Sequence, residues 1–139
     1  MCNMALQWVT GLYLEIINGP KAMLKLYVFG ALAAALLASI LQPTATVVGA
    51  SGAVFAIGGA AVAHAAINWD TMGNFKYRLA SVQFLILLPS GWAFYNDAID
   101  PAQTVSWSAH IGGFVFGVLY GWCALEVRIR ACARCDVPV

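Results

Sequence analysis

Val48-Gly49-Ala50-Ser51-Gly52-Ala53 is the stretch whose reading decides the fold. It turns from a polar segment into an apolar run, and Ala109-His110-Ile111-Gly112-Gly113 makes the same transition later in the chain. One transition carries a hydroxyl and the other an imidazole. If both apolar runs are membrane helices entered from the same side, the two groups lie at matching depth.

The composition requires a membrane. Of 139 residues, 62% are hydrophobic and 9% charged, and the mean hydropathy is +0.80, far from an average soluble domain. Long apolar runs broken by short polar segments read as several transmembrane helices, each needing about 20 residues to cross a hydrocarbon core roughly 30 Å thick. The net charge of +1 gives no argument for nucleic acid, and no nucleic-acid partner is expected. Met1-Cys2-Asn3-Met4 has no basic n-region, so no cleavable signal is read there. Cys132-Ala-Arg-Cys135 is a lone CxxC with no second ligand pair, which favours a reduced or lipidated tail over zinc. No metal or other cofactor is expected.

Five spans can be placed. The first covers about Asn3 to Ile17 and stops at Asn18-Gly19-Pro20, and the second runs from about Met23 to Leu41 and stops at Gln42-Pro43-Thr44. The third begins at Ser51 and reaches about Asn68, about 27 Å at the helical rise. The fourth spans about Leu79 to Tyr95, with a kink expected at Pro89-Ser90-Gly91. The fifth extends from about Trp107 to Leu125. The expected fold is an all-α membrane protein, a polytopic helical bundle over residues 1–127 with a short basic tail at 128–139.

Alternating spans put Lys21, Lys25, Lys76, Arg78, Arg128, Arg130 and Arg134 on one side, and these are all the Lys and Arg of the chain. By the positive-inside rule that side, the tail included, is cytoplasmic. Ser51 and His110 then face the lumen or exterior. Their spans run parallel, and on a 3.6 period Ser51 shares a face with Phe55, Gly58, Gly59 and Val62, while His110 shares one with Gly113, Gly117 and Gly121. Faces of small residues pack closely in lipid, which brings imidazole and hydroxyl together.

A plainer reading makes Gly-Ala-Ser-Gly a packing patch and His110 an interfacial histidine, since serine in a membrane helix usually bonds back to its own backbone. The match in depth and face favours a Ser-His dyad. His64 is the control: it lies about 20 Å further along the span, on nearly the opposite face, and reads as structural. In the dyad His110 takes the Ser51 proton, the alkoxide attacks a carbonyl, and the imidazole returns the proton to the leaving amine. The oxyanion needs donors. The backbone around Ser51, Gly49 and Ala50 included, is free of helical partners, and Asn3 lies at the same depth with a side-chain amide. No Asp or Glu stands near the pair in either span, so a dyad rather than a triad is expected.

These residues resemble the rhomboid family of intramembrane serine proteases. Gly49-Ala50-Ser51-Gly52 is similar to that family's nucleophile motif, and Ala109-His110-Ile111-Gly112-Gly113 with Gly117 to its histidine motif. The resemblance implies that Asn3 contributes to the oxyanion hole. It also implies that Glu15, within Gly11-Leu-Tyr-Leu-Glu15-Ile-Ile-Asn-Gly19, is structural. Phe55 falls where the family often has a tyrosine stacked on the histidine, and keeps the ring without the hydroxyl. The chain is similar to the last five spans of a six-span core. The family's first span has no counterpart, and the histidine that partners Asn3 would fall before Met1.

The function implied by the resemblance is intramembrane endoproteolysis of single-span membrane proteins near the lumenal or extracellular face, with the Pro89-Ser90-Gly91-Trp92 segment as a candidate gate. The competing expectation is a catalytically impaired rhomboid-like protein that binds transmembrane clients. Loss of the serine or histidine would mark that class, and both are present. A small transporter would call for mid-membrane charges and repeat symmetry, which are not found.

Overall fold

The structure is a computed structural model that describes residues 2–43, 49–69, 74, 77, 80, 95 and 106–133, with side chains described at all of these except 2, 5 and 125–133. The described elements are helical: α1 (Cys2–Leu6), a π-helical segment (Gln7–Gly11), α2 (Leu12–Asn18), α3 (Pro20–Leu41), α4 (Ser51–Ile67) and α5 (Trp107–Ala133). The expected fourth span lies outside the described residues apart from isolated positions.

α1, the π-helical segment and α2 follow one another without a break and fill the place of the expected first span. The regular pattern does not announce the π turn. Thr10 and Gly11 close it, both poor helix formers, and both are buried. Gly19 ends α2 at φ 82°, a left-handed conformation that glycine adopts without a Cβ penalty. Pro20 then opens α3, where a missing N–H costs nothing because no helical acceptor precedes it. α3 therefore starts a turn earlier than its apolar run suggests.

α3 segregates its faces by size rather than by polarity. Leu26, Gly30, Ala34 and Ala38 are buried at every fourth position, while Leu24, Val28, Leu32, Leu36 and Ile40 are exposed. With lipid outside, a small-residue stripe facing inward permits close backbone packing, and the large side chains meet acyl chains at no cost. Its 22 residues, with a hydropathy of 2.0, are long and apolar enough to cross a bilayer. α4 is shorter, and its residues from Gly52 to Ala61 are all buried. It is the central post of the bundle.

α5 runs parallel to α4. A Cβ on Gly113 would strike the Gly52 carbonyl, one on Gly117 the Ala56 carbonyl, and one on Gly121 would come within 2.9 Å of Ala60 Cα. Positions advance together on the two helices, and the backbones touch. α3 is antiparallel to both: Ala34 meets Gly52 and Gly112, whereas Gly30 meets Ala56 and Phe116. The inner layer is completed by Leu14, Leu26, Ala56, Ile57, Ala60 and Ala61.

The α4 seam is Gly52, Ala56, Gly59, Ala60 and Ala63, rotated by one residue from the expected Ser51, Phe55, Gly58, Gly59 and Val62 face. Phe55 and Val62 are too bulky for backbone contact, and Val62 is exposed. The α5 side of the seam is the expected one. The helix of α5 also continues to Ala133, past the end of the apolar run, because neither Gly nor Pro occurs between Leu125 and Ala133 to stop it.

Candidate active site

Gly49 and Ala50 form the turn into α4. Gly49 has φ 144°, in the region that favours glycine, so a side chain here would be strained even where space permits. Ala50, with φ −76° and ψ 0°, is the N-cap residue and offers no side-chain cap. Its carbonyl accepts the Val54 N–H at 3.1 Å. Ser51 is thus the first helical residue. The N–H groups of Ser51, Gly52 and Ala53 precede the first helical hydrogen bond and have no acceptor within the helix.

α5 begins with a side-chain cap. Ser106 Oγ accepts the Ala109 N–H at 3.3 Å, and its carbonyl accepts the His110 N–H at 3.4 Å. A serine bonded three residues ahead is a helix N-cap. His110 therefore emerges from a fixed first turn. Its Nε2 lies 2.9 Å from Ser51 Oγ, and its ring lies flat on Phe55, with centroids 4.2 Å apart and planes 8° from parallel. Both members of the pair are half-buried. Among the described residues, Ser51 is the only hydrogen-bond partner of the imidazole, and no cluster of His, Cys, Asp or Glu able to hold a metal ion occurs.

The seam explains the contact. Ser51 sits just off the line along which α4 and α5 touch, and the long histidine side chain bridges that offset. Gly52 and Gly113, one residue after Ser51 and three after His110, are in backbone contact and bring the two helices near enough for it to do so. Phe55 supports the ring from one helical turn below Ser51.

The other sequence-expected residues are placed as follows. Asn3 is exposed on α1 and makes no hydrogen bond to the pair among the described residues. Gly49 and Ala50 are exposed at the mouth of the α4 turn. Glu15 is also exposed and lines a groove of about 480 Å³ with Trp8, Leu12, Met23 and Tyr27, which does not reach Ser51 or His110. A smaller cavity of about 360 Å³, lined by Ala31, Ala35, Ser39, Gln42, Gly49 and Gly52, adjoins the start of α4.

His64 is buried at the opposite end of α4. Its Nδ1 accepts from Asn68 Nδ2 at 3.2 Å, which leaves the ring proton on Nε2 to be donated to Tyr13 Oη at 3.1 Å. Both nitrogens are occupied by structural partners.

Sequence reading missed a further polar cluster. Gln42 Oε1 accepts hydrogen bonds from Ser106 Oγ at 2.8 Å and from Ser108 Oγ at 2.7 Å. Ser106, placed just ahead of an apolar run, carries a legible N-cap signal. Nothing local points to Gln42.

A hydroxyl in hydrogen-bond contact with an imidazole, next to backbone N–H groups that have no acceptor within the helix, has the chemistry to form an acyl ester. In such a pair an imidazole can accept the hydroxyl proton as the oxygen attacks a carbonyl, and N–H groups at a helix start can stabilise negative charge. A family model described as "Rhomboid domain" matches residues 1–127. Among curated proteins, the chain is 35% identical over 125 residues to Rhomboid-related protein 3 of Mus musculus, covering 86% of this chain and 31% of that protein. Rhomboid-related protein 1 of Caenorhabditis elegans is 31% identical over 140 residues, 95% of this chain and 38% of that one. Rhomboid-like protease 5 of Toxoplasma gondii is 28% identical over 126 residues, 91% of this chain and 14% of that one. The chain thus spans well under half the length of these relatives. No solved structure is matched.

Proposed function

This chain belongs to the rhomboid family and is an integral membrane protein, and from that premise we propose that it is an intramembrane serine endopeptidase. Its substrates are single-span membrane proteins, cut near the lumenal or extracellular face. The observation that carries the reading is the 2.9 Å contact between His110 Nε2 and Ser51 Oγ.

In the first half-reaction neutral His110 accepts the Ser51 proton at Nε2 as Oγ bonds to the carbonyl carbon of the scissile peptide. The carbonyl oxygen becomes an oxyanion, and the N–H groups at the start of α4, with Asn3 as a further donor, stabilise it. The imidazolium then gives its proton to the leaving amine as the C–N bond breaks, and an acyl ester remains on Ser51. In the second half-reaction His110 takes a proton from water, the hydroxide attacks the ester, and Ser51 Oγ recovers the proton on departure. A helical substrate carbonyl is already hydrogen-bonded, so the scissile segment must unwind first. With Ser51 and His110 facing the lumen or exterior, the tail after α5 lies in the cytoplasm.

Labelling with a fluorophosphonate in liposomes tests the assignment. Covalent labelling of the wild-type chain that is lost in Ser51→Ala and in His110→Ala is expected. Labelling that survives Ser51→Ala would remove the nucleophile. An unlabelled wild-type chain that still captures transmembrane clients would favour the non-cleaving, client-binding member of the family.

A further inference from the structure

The geometry points to Gln42 as a positioning residue for His110, acting through the first turn of α5; this role rests on the hydrolase reading above. Gln42 is the C-cap residue of α3, its own N–H bonded to the Ala38 carbonyl at 2.7 Å. Its backbone is therefore fixed to the end of one helix while its side chain reaches the start of another. The carboxamide oxygen has two lone pairs, and both are used, by the hydroxyls of Ser106 and Ser108. Ser108 is fully buried. Ser108 Oγ also lies 3.1 Å from Ser106 Oγ, so the three side chains form one polar cluster between the end of α3 and the start of α5.

The consequence passes to the imidazole in short steps. The Ser106 hydroxyl, whose proton is committed to Gln42, keeps its oxygen for the Ala109 N–H. The Ser106 carbonyl accepts the N–H of His110 itself. The oxygen of Gln42 thus sets the rotation and height of the turn that carries His110. That turn has to present Nε2 to Ser51 Oγ within hydrogen-bond range, and misplacement of about 1 Å in such a geometry is enough to cost up to a hundredfold in rate. Among the described residues, the Gln42 side chain hydrogen-bonds to Ser106 and Ser108 and not to Ser51 or His110.

Only the oxygen and its reach matter in this arrangement, which separates it from general packing. Gln42→Leu keeps comparable bulk and removes the acceptor. Gln42→Asn keeps the amide and withdraws it by one methylene. Gln42→Glu keeps both the reach and an acceptor oxygen, and its negative charge lies at the N-terminus of α5, where the helix dipole favours it.

The experiment measures fluorophosphonate inactivation across wild type, Gln42→Leu, Gln42→Asn, Gln42→Glu and Ser51→Ala in liposomes, resolved into kinact and KI. It is paired with the ¹⁵N NMR shift of the His110 imidazole in detergent micelles. Expected are a kinact reduced about tenfold in Gln42→Leu and Gln42→Asn, within the range for a misplaced catalytic group, an unchanged KI, a moved Nε2 resonance, and recovery of both signals in Gln42→Glu. Labelling that needs Ser51 but proceeds at the wild-type rate in Gln42→Leu would overturn the role of Gln42 and leave the hydrolase reading intact. An Nε2 resonance unmoved by Gln42→Leu would do the same. Absence of Ser51-dependent labelling in every variant would overturn both.

Discussion

Phe55 and His110 are stacked face to face, with 4.2 Å between ring centroids and 8° between planes. The phenyl ring closes one face of the imidazole and leaves its edge, with Nε2, directed at Ser51. Stacking of this kind holds the ring's rotation without consuming either nitrogen.

Phe55→Leu is therefore expected to slow fluorophosphonate labelling while leaving a folded chain. An aromatic pair contributes about 0.5–1.5 kcal/mol beyond its buried area, which corresponds to a reduction of roughly two- to thirteenfold. Phe55→Tyr keeps the ring and should label near the wild-type rate. Equal rates for Phe55→Leu and wild type would show that the stack does not orient the base.

Protonation offers a second check. The imidazolium has no lone pair for the Ser51 proton, and below the pKa of the base the neutral fraction falls tenfold per pH unit. The labelling rate is expected to decline toward that slope on the acid side and to level off at higher pH. A rate that shows no decline anywhere on the acid side while the chain stays folded would exclude a histidine base.

At the far end of α4, Tyr13→Phe removes the hydroxyl that partners His64. The loss of one such hydrogen bond lowers stability by about 1 kcal/mol, read as a reduced melting temperature in detergent. Labelling of Ser51, about 20 Å away along the helix, should be unaffected.

Thr10 presents the opposite case. Its hydroxyl is buried in the π-helical segment without a hydrogen-bond partner among the described residues. Thr10→Val keeps the shape and removes the unsatisfied group, so a gain of about 1 kcal/mol in stability is expected. A loss instead would mean that the hydroxyl finds a partner in the membrane-embedded protein.

What the sequence disclosed follows from how local each signal is. The starts of α4 and α5 were legible because a polar segment gives way to an apolar run at Ser51 and near Trp107, and the end of α2 was legible in Asn18-Gly19-Pro20. The parallel pairing of α4 and α5 followed from span alternation and from the spacing of Gly113, Gly117 and Gly121. The one-residue rotation of the α4 seam was not legible, because it depends on which of two small-residue faces can exclude Phe55 and Val62. The π turn at Gln7–Gly11 breaks the period that would have to reveal it. Gln42 is joined to Ser106 and Ser108 across more than 60 residues of chain, and no pattern within α3 marks it.

The contact of Gly113 with Gly52 and of Gly117 with Ala56 is made by main chain alone. Gly117→Ala would force a methyl group against the Ala56 carbonyl, whose carbon would lie 2.7 Å away, and is expected to destabilise by about 1–3 kcal/mol or more, seen as a lowered melting temperature. A joint of this kind has no torsions to rearrange. It holds the backbones that carry Ser51 and His110 at a set spacing, and leaves to the side chains only the last step of the approach.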